Sequence, residues 1–250
     1  MKKLISRLLI LVALLVAALY ITDTDYLLKA VRTIYVKGYT TAFLEDYKEF
    51  DNAVVKNDVP QPWPIHEAYN SVKETEYLID YNKSTGTIAY VIIKNDSIWF
   101  ENYYDGFDEN SKTNSFSMAK SYVSGLLGKA IDDGYIKSLD QPVGAFFPEF
   151  SEGLASQMTV GDLSSMASGT NWDEKYYSPL SITTRAYFDD DLEQVILGLK
   201  VVNEPGKSYK YASGDTQLLA MVIEKATGKK LYDYLTESFW IPLGSENQTL

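Results

Sequence analysis

An unbroken run of apolar residues close to the N-terminus constrains this chain more than any other feature. Residues 8–21 read LLILVALLVAALYI and come after a basic start that contains Lys2, Lys3 and Arg7. This order is typical of a secretory signal peptide or an uncleaved signal anchor, and a full membrane span needs about 20 apolar residues. Because the run and its flanks come close to that length, we predict a membrane anchor over residues 1–22, with cleavage and secretion as the alternative. The excess of positive charge before the run places the rest of the chain in the periplasm or outside the cell.

A proline-rich segment divides the remainder of the chain. Residues 59–64 contain three prolines within five positions, and proline fixes φ and cannot donate a backbone hydrogen bond. Such a segment is typically extended and stiff. We therefore predict an N-terminal extension with a linker over residues 23–80 and a main domain over residues 81–250.

The main domain begins with strand patterns and continues with helical ones. Residues 87–93 are rich in β-branched side chains, and together with residues 97–104 they predict a β-hairpin. Apolar residues spaced three and four apart predict a helix over 117–133. Shorter helices are predicted at 26–34, 41–50, 159–166, 192–199, 216–226 and 231–239. Strands followed by a run of helices indicate an α+β fold.

The composition excludes several kinds of chemistry. The chain has no cysteine, which excludes disulfides, thiolate catalysis and cysteine-bound zinc, and its single histidine, His66, excludes a histidine-rich metal site. A net charge of −11 disfavours nucleic acid as a partner, because phosphates are bound by Lys and Arg. A Ser-His-Asp triad could use only His66, so a serine nucleophile in this chain needs a base other than histidine.

The tetrapeptide from Ser117 to Lys120 supplies such a base. Residues i and i+3 of a helix lie on one face, with Cβ atoms about 5–6 Å apart. A serine in the first turn also meets unpaired N–H groups and the positive end of the helix dipole, which favours negative charge on its oxygen. Burial would lower the pKa of a lysine enough to make it a base. Taken alone, the same spacing also describes a helix-capping serine followed by a surface lysine.

A second candidate group lies at Tyr211 and Ser213. A tyrosine beside a lysine ammonium ionises more easily and can relay a proton between a nucleophile and a leaving group. The hydroxyl of Ser213 would hold either the lysine or the substrate. Taken alone, Tyr211 is also consistent with a loop residue that precedes a helix.

Together with their flanks, these motifs resemble the serine β-lactamase and penicillin-binding-protein family, in its class C-like branch. The flanks are Ser115–Ser121, Ile131–Gly134, Leu139–Val143, Met158–Gly169, Glu204–Ser213, Ile223–Gly228 and Trp240–Gly244. The resemblance implies a β-lactamase/transpeptidase-like fold, an antiparallel sheet with an all-helical subdomain. It implies Ser117 as acyl acceptor, Lys120 and Tyr211 as the acid–base pair, and no metal or other cofactor. Residues 31–47 and 172–176 are most similar to the amide-hydrolysing branch typified by 6-aminohexanoate-dimer hydrolase.

Two departures from the family pattern affect this prediction. Ser213 stands where many relatives have Asn, which fits esterases or amidases better than a true β-lactamase. The family's third motif, on a strand that supplies the second oxyanion-hole N–H, is not found after Tyr211. The similar stretch Lys225–Gly228 has the position of a helix C-cap. We therefore expect a C-terminally truncated, partial domain with impaired activity.

The predicted activity is cleavage of an amide, ester or lactam bond through an acyl-enzyme, with a small molecule or peptide as substrate. Two alternatives stay open. One is a D,D-peptidase or penicillin-binding protein, and the other is a non-catalytic, membrane-anchored binding module with the same fold.

Overall fold

The structure is a computed structural model that describes residues 2–250, and the chain forms two compact units. The first comprises Met1–Asp51 and Ser115–Leu235, and the second comprises Asn52–Asn114 and Thr236–Leu250. The strands are β1 (Ala89–Lys94) and β2 (Ser97–Tyr103). The helices are α1 (Lys2–Ile21), α2 (Tyr26–Ala30), α3 (Glu76–Thr85), α4 (Ala119–Asp132), α5 (Val160–Ser164), α6 (Ile182–Phe188), α7 (Leu192–Leu197), α8 (Ser213–Thr227) and α9 (Leu231–Leu235). The α+β class is confirmed, whereas the boundaries predicted at residues 22 and 80 stay a prediction.

The core of the first unit lies where α4 and α5 pack against α8. The apolar positions of α4 that the sequence pattern selected are buried, and α8 turns a matching apolar face toward them. Burying one such leucine or isoleucine side chain contributes about 1.5–3 kcal/mol. The contact between α4 and α8 therefore fixes the positions of these two helices, whose N-terminal ends lie next to the candidate site. The buried side chains are Val123, Leu126, Leu127 and Ala130 on α4, and Leu218, Leu219, Val222 and Ile223 on α8.

Local signals determine where these helices begin and end. Thr159 Oγ1 accepts the Asp162 N–H at 3.1 Å, and Asp162 Oδ2 accepts the Thr159 N–H at 2.9 Å, which forms a capping box at the start of α5. Helix α8 ends at Gly228, whose φ of 68° is left-handed. The prediction that Lys225–Gly228 is a helix C-cap is confirmed, because glycine adopts this conformation at little cost.

Residues 23–51 of the predicted N-terminal extension belong to the first unit, and residues 52–80 belong to the second. Tyr26, Ala30 and Ile34 form a buried apolar cluster with Phe188 of α6. The helix predicted at 26–34 is present as α2 and a π-helical turn, Val31–Tyr35, that continues it. The helix predicted at 41–50 is reduced to a 3₁₀ turn over Asp46–Glu49.

The predicted hairpin is confirmed in the second unit. Strands β1 and β2 pair antiparallel, with Ala89 opposite Tyr103 and an irregularity between Ile92 and Ile93. Helix α3 precedes the hairpin and was not predicted, because its sequence EYLIDYNKST is too polar to show an apolar period. The sequence signals for this helix lie at its ends, where Thr75 caps the first turn and Gly86, with φ 65°, ends the helix.

Helix α1 is the apolar N-terminal segment. It spans 20 residues, its most apolar 18-residue stretch has a mean hydropathy of 2.6, and none of its described side chains is buried. By length and composition it could cross a membrane, and a signal sequence has the same properties.

Candidate active site

The candidate nucleophile lies where a 3₁₀ turn, Phe116–Met118, leads into α4. This places Ser117 and Lys120 on one helical surface, and Lys120 Nζ donates to Ser117 Oγ at 3.2 Å. The i, i+3 spacing thus produces the contact that the sequence predicted. Ser117 is exposed and Lys120 half-buried, so the dry setting expected around this pair is not present in the structure.

The backbone just before the nucleophile is strained. Phe116 has a φ of +46°, a conformation that residues other than glycine adopt rarely. Such a residue costs roughly 1–3 kcal/mol and persists only where its surroundings hold it. The tight turn at Phe116 directs the chain through the 3₁₀ turn that carries Ser117 and into α4, which carries Lys120.

Tyr211 completes the group from a distant part of the sequence. Its hydroxyl donates to Ser117 Oγ at 2.6 Å across 94 residues of chain. Lys120 Nζ lies 5.4 Å from the centroid of the Tyr211 ring, within the range of a cation–π contact. The structure therefore brings together Ser117, Lys120 and Tyr211, the three residues that were predicted to form the catalytic group.

Hydrogen bonds to a neighbouring segment hold Tyr211 in place from its N-terminal side. The Lys210 N–H donates to Met166 O at 2.9 Å, and Lys210 Nζ donates to Trp172 O. The Gly206 N–H donates to Ala167 O at 2.8 Å. The loop that ends in Tyr211 is thus fastened to the segment after α5 before the chain enters α8.

A carboxylate that the sequence did not single out, Glu174, fastens the other side of Tyr211. Its Oε2 accepts the Ser213 N–H at 3.0 Å, and its Oε1 accepts the Ser213 hydroxyl. Trp172 Nε1 and the Tyr176 hydroxyl also donate to it. Burial alone would raise the pKa of Glu174, but these hydrogen bonds outweigh burial and lower it. For Tyr176, burial and then the bond to Glu174 raise the pKa to about 12.

Ser213 therefore has a different partner from the one that the sequence suggested. Its hydroxyl was expected to hold Lys120 or the substrate, and the structure places that hydroxyl on Glu174. The reason is that α8 begins at Ser213, three residues earlier than predicted, and the N-terminus of a helix attracts a carboxylate. A role for Ser213 toward the substrate stays a prediction.

A second missed carboxylate, Asp215, is buried at the first turn of α8. Its Oδ1 accepts the hydroxyls of Ser168 at 2.7 Å and Thr170 at 3.2 Å. Its Oδ2 is buried without a hydrogen-bond partner, and burial raises the pKa of Asp215 to about 6. The cluster ties α8 to the segment after α5. An aspartate in the first turn of an otherwise apolar helix was the signal for it.

A known protein family matches most of this chain. The family model described as Beta-lactamase matches residues 75–250, which include all three converging side chains. This chain belongs to the beta-lactamase family. On this family's fold the candidate site comprises Ser117, Lys120 and Tyr211, whereas His66 lies in the second unit, where its Nδ1 accepts the Ala68 N–H at 3.0 Å.

Several curated proteins resemble this beta-lactamase family chain. The 6-aminohexanoate-dimer hydrolase of Paenarthrobacter ureafaciens is 25% identical over 174 residues, which cover 66% of this chain and 44% of the relative. Protein flp of Staphylococcus aureus (strain COL) is 23% identical over 188 residues, covering 70% of this chain and 37% of the relative. The chain thus spans less than half the length of these two relatives.

Solved structures confirm the fold of this beta-lactamase family chain. A Bacillus anthracis protein provisionally named as a 6-aminohexanoate-dimer hydrolase matches with a TM-score of 0.61 at 19% identity, covering 88% of this chain and 60% of that one. FmtA of Staphylococcus aureus matches with a TM-score of 0.51 at 20% identity, covering 76% and 53%. A class C beta-lactamase matches with a TM-score of 0.50 at 17% identity, covering 65% and 45%. The β-lactamase/transpeptidase-like fold is therefore confirmed.

Proposed function

We propose that this chain is a serine hydrolase that cleaves an amide, ester or lactam bond through an acyl-enzyme. The observation that carries the proposal is the convergence of Lys120 Nζ and Tyr211 OH on Ser117 Oγ, at 3.2 and 2.6 Å. A nucleophile within hydrogen-bond reach of a base is the arrangement that nucleophilic catalysis requires. Membership of the beta-lactamase family supports the same chemistry.

The geometry supports acyl transfer in two stages. Ser117 Oγ forms a bond to the carbonyl carbon, and Lys120 acts as the base that accepts the hydroxyl proton. Tyr211 hands a proton to the leaving nitrogen or oxygen as the scissile bond breaks, and recovers a proton from Lys120. The Lys120 cation beside the Tyr211 ring favours charge on the phenolic oxygen during this relay. Water then attacks the acyl-enzyme by the reverse route and releases the acid.

A linear amide is the substrate that the relatives favour. The Paenarthrobacter relative is named for hydrolysis of a 6-aminohexanoate dimer, and Ser213 stands where a true β-lactamase more often has Asn. We therefore propose amide or ester cleavage ahead of lactam cleavage. Trp172 and Tyr176 both donate hydrogen bonds to Glu174, so the segment 172–176 helps to position the residues around the candidate site.

Covalent labelling tests the nucleophile directly. A fluorophosphonate probe is expected to label the wild-type chain and the control Ser121→Ala, an exposed serine one turn further along α4. It is expected to leave Ser117→Ala unlabelled. Labelling of Ser117→Ala at the wild-type rate would remove Ser117 from the mechanism, and absence of labelling in the wild type would favour a non-catalytic binding module.

A substrate panel separates the enzyme classes. Hydrolysis of a 6-aminohexanoate dimer, a p-nitrophenyl ester and a chromogenic cephalosporin is measured side by side with release of D-Ala from a peptide ending in D-Ala-D-Ala. We expect the amide and ester to exceed the lactam. D-Ala release above all the others would identify a D,D-peptidase instead.

We also propose that turnover is slow. Loss of one oxyanion-hole donor typically costs about 10²–10³ in kcat, and the residues after Tyr211 contain no recognisable motif for the second donor. Slow steady turnover is therefore expected with p-nitrophenyl esters. Rapid turnover would show that the second donor comes from a segment without that motif.

We propose that α1 anchors the chain to a membrane, with the remaining residues in the periplasm or outside the cell. The exposed apolar surface of α1 supports this. The full chain is expected to float with phosphatidylcholine vesicles at high salt, and a chain that begins at Asp23 is expected to stay in solution. Recovery of a shortened N-terminus from the expressing cell would identify a cleaved signal peptide.

A further inference from the structure

A group of apolar side chains is exposed on the first unit, beside the nucleophile. We call it the aromatic patch, and its members are Tyr35, Val36, Phe116, Tyr177 and Leu180. Tyr35, Phe116 and Tyr177 line one cavity of about 120 Å³, and Val36 and Leu180 are chain neighbours of two of its lining residues, Tyr35 and Pro179. Single exposed apolar side chains are common, whereas a contiguous group of them marks a surface that a partner covers.

The patch lies close to the end of the proposed membrane anchor. Helix α1 ends at Ile21, and five residues later the Tyr26 hydroxyl donates to Pro179 O at 3.1 Å. Five residues of chain span at most about 18 Å. Pro179 stands between Tyr177 and Leu180 in the sequence, and these two side chains are 88% and 70% exposed. A bilayer that holds α1 is therefore within reach of the patch.

The residues around the end of α1 form two surfaces of different charge. A cavity of about 840 Å³ next to Tyr20 is lined mostly by carboxylates, among them Asp23 and Asp190. The cavity beside the aromatic patch shares only Phe188 with it, and none of its described lining residues carries a charge. Carboxylates lose hydration in a bilayer, whereas tyrosine is enriched at the membrane–water interface. Of the two surfaces, the patch is the one suited to lipid.

We propose that the aromatic patch lies on the lipid bilayer that holds α1, with its side chains in the headgroup layer. The inference rests on the proposed membrane anchor and extends it, because this second contact gives the first unit one orientation on the membrane. The acidic cavity then stays in water. Because Ser117 follows Phe116 directly, the nucleophile lies beside the headgroup layer and faces substrates that are held at that surface.

A fluorescent label at single positions tests this contact. The chain has no cysteine, so one introduced cysteine carries a nitrobenzoxadiazole label at a defined place. Tyr177→Cys puts the label in the patch. Tyr135→Cys is the control, at an exposed tyrosine beyond the far end of α4, whose 14 residues extend about 21 Å from the Phe116 side. The full chain is reconstituted in phosphatidylcholine vesicles, and quenching by nitroxide-bearing lipid is measured.

The label at position 177 is expected to be quenched at least about threefold more strongly than the label at position 135, because only the former reaches the interface. Equal quenching at the two positions would overturn the proposal, and so would an unquenched label at position 177. If that unquenched label still shows a blue-shifted emission, the patch is covered by another protein chain, such as a second copy, instead of lipid.

Two matched substitutions, each added to the chain labelled at position 177, check that the patch itself makes the contact. Leu180→Glu puts a charge into the patch, and Leu139→Glu puts the same charge at an exposed leucine outside it. Leu180→Glu is expected to lower the quenching at least about twofold, because a carboxylate is costly in the bilayer. Leu139→Glu is expected to leave it unchanged. Equal quenching in both variants would contradict the proposal, and the two label positions decide if Leu180→Glu does not fold.

Failure of the docking surface and failure of the anchor are distinguishable. If the full chain does not float with the vesicles, the proposed anchor is overturned and the docking surface with it. If the chain floats but the label at position 177 is not quenched, only the docking surface is overturned. Neither result affects the proposed hydrolase chemistry, which fluorophosphonate labelling of Ser117 tests separately.

Discussion

At the scale of single residues, the site depends on one oxygen atom that is shared by two partners. Ser117 Oγ receives hydrogen bonds from both Lys120 and Tyr211, and Lys120 also lies over the tyrosine ring. Because the three groups touch each other, their effects on rate are not additive. The informative substitutions are therefore those that remove one function and keep the other contacts.

Tyr211→Phe removes the hydroxyl that donates to Ser117 and keeps the ring beneath Lys120. We expect acylation of Ser117 to slow by about 10²–10⁴, the usual contribution of a positioned acid–base group. The measurement is the rate of labelling by a fluorophosphonate. Tyr209→Phe, at an exposed tyrosine in the same loop, serves as the control. Equal rates for the two variants would show that the Tyr211 hydroxyl takes no part in the reaction.

Lys120→Arg separates the base from the positive charge. Arginine keeps a cation near Tyr211 but does not lose its proton in proteins. If Lys120 accepts the serine proton, we expect a loss of at least about 10² in acylation rate at every pH between about 6 and 9. Lys129→Arg, on the same helix, controls for the change of side chain. A variant at position 120 that keeps most of the activity would make Tyr211 the base and Lys120 its electrostatic support.

At the scale of elements, the start of α8 is the part of the fold on which the site depends most. The segment 172–176 contacts residues on both sides of Tyr211, through Lys210 and Ser213. Trp172, which is buried, also packs so closely on Gly214 that a Cβ atom there would lie 2.3 Å from its ring. Small side chains at this crossing let the tyrosine approach the nucleophile.

Gly214→Ala tests this close packing. We expect a loss of about 1–3 kcal/mol in the free energy of unfolding, because the indole has to move. Gly128→Ala is a matched control, since Gly128 lies within α4 with open space around it, and there we expect a gain of about 0.5–1 kcal/mol. Urea unfolding in mild detergent, followed by fluorescence, measures both. A neutral Gly214→Ala would show that Trp172 adjusts without cost.

At the scale of the whole molecule, stability should depend on pH through Asp215. Its pKa of about 6 in the folded state lies above its ordinary value of 3.8, because it is buried. Between these values the folded chain binds more protons than the unfolded chain, so this group's contribution to stability is lost as pH rises toward and through 6. The loss amounts to at most about 3 kcal/mol.

Asp215→Asn should remove this contribution. We expect the wild-type chain to lose stability relative to the variant as the pH rises from about 4 to 7, as measured by urea unfolding at each pH. The difference in stability between the wild type and the variant cancels the contributions of the other carboxyl groups, because both proteins contain them. Glu174 is one of them, since its lowered pKa acts in the opposite direction and its stabilisation is lost as pH falls. Parallel pH profiles for the two proteins would show that Asp215 ionises normally.

The features that the sequence predicted correctly are local ones. The spacing of Ser117 and Lys120, the apolar face of α4, the hairpin and the glycine at the end of α8 depend on contacts between residues that are near each other in the chain. The family resemblance added Tyr211. Helix α3 escaped prediction because it has no apolar period, and the unit boundaries were not visible in composition.

Only the tertiary structure revealed the surroundings of Tyr211. The bonds from Ser213 to Glu174 and from Ser168 to Asp215 join positions 39 and 47 residues apart. No periodicity records such pairs, because each carboxylate looks like a surface residue until the fold buries it. By itself, the sequence determined the apolar N-terminal segment, the serine and the lysine. The fold decided how close the tyrosine comes to them and which carboxylates hold it there.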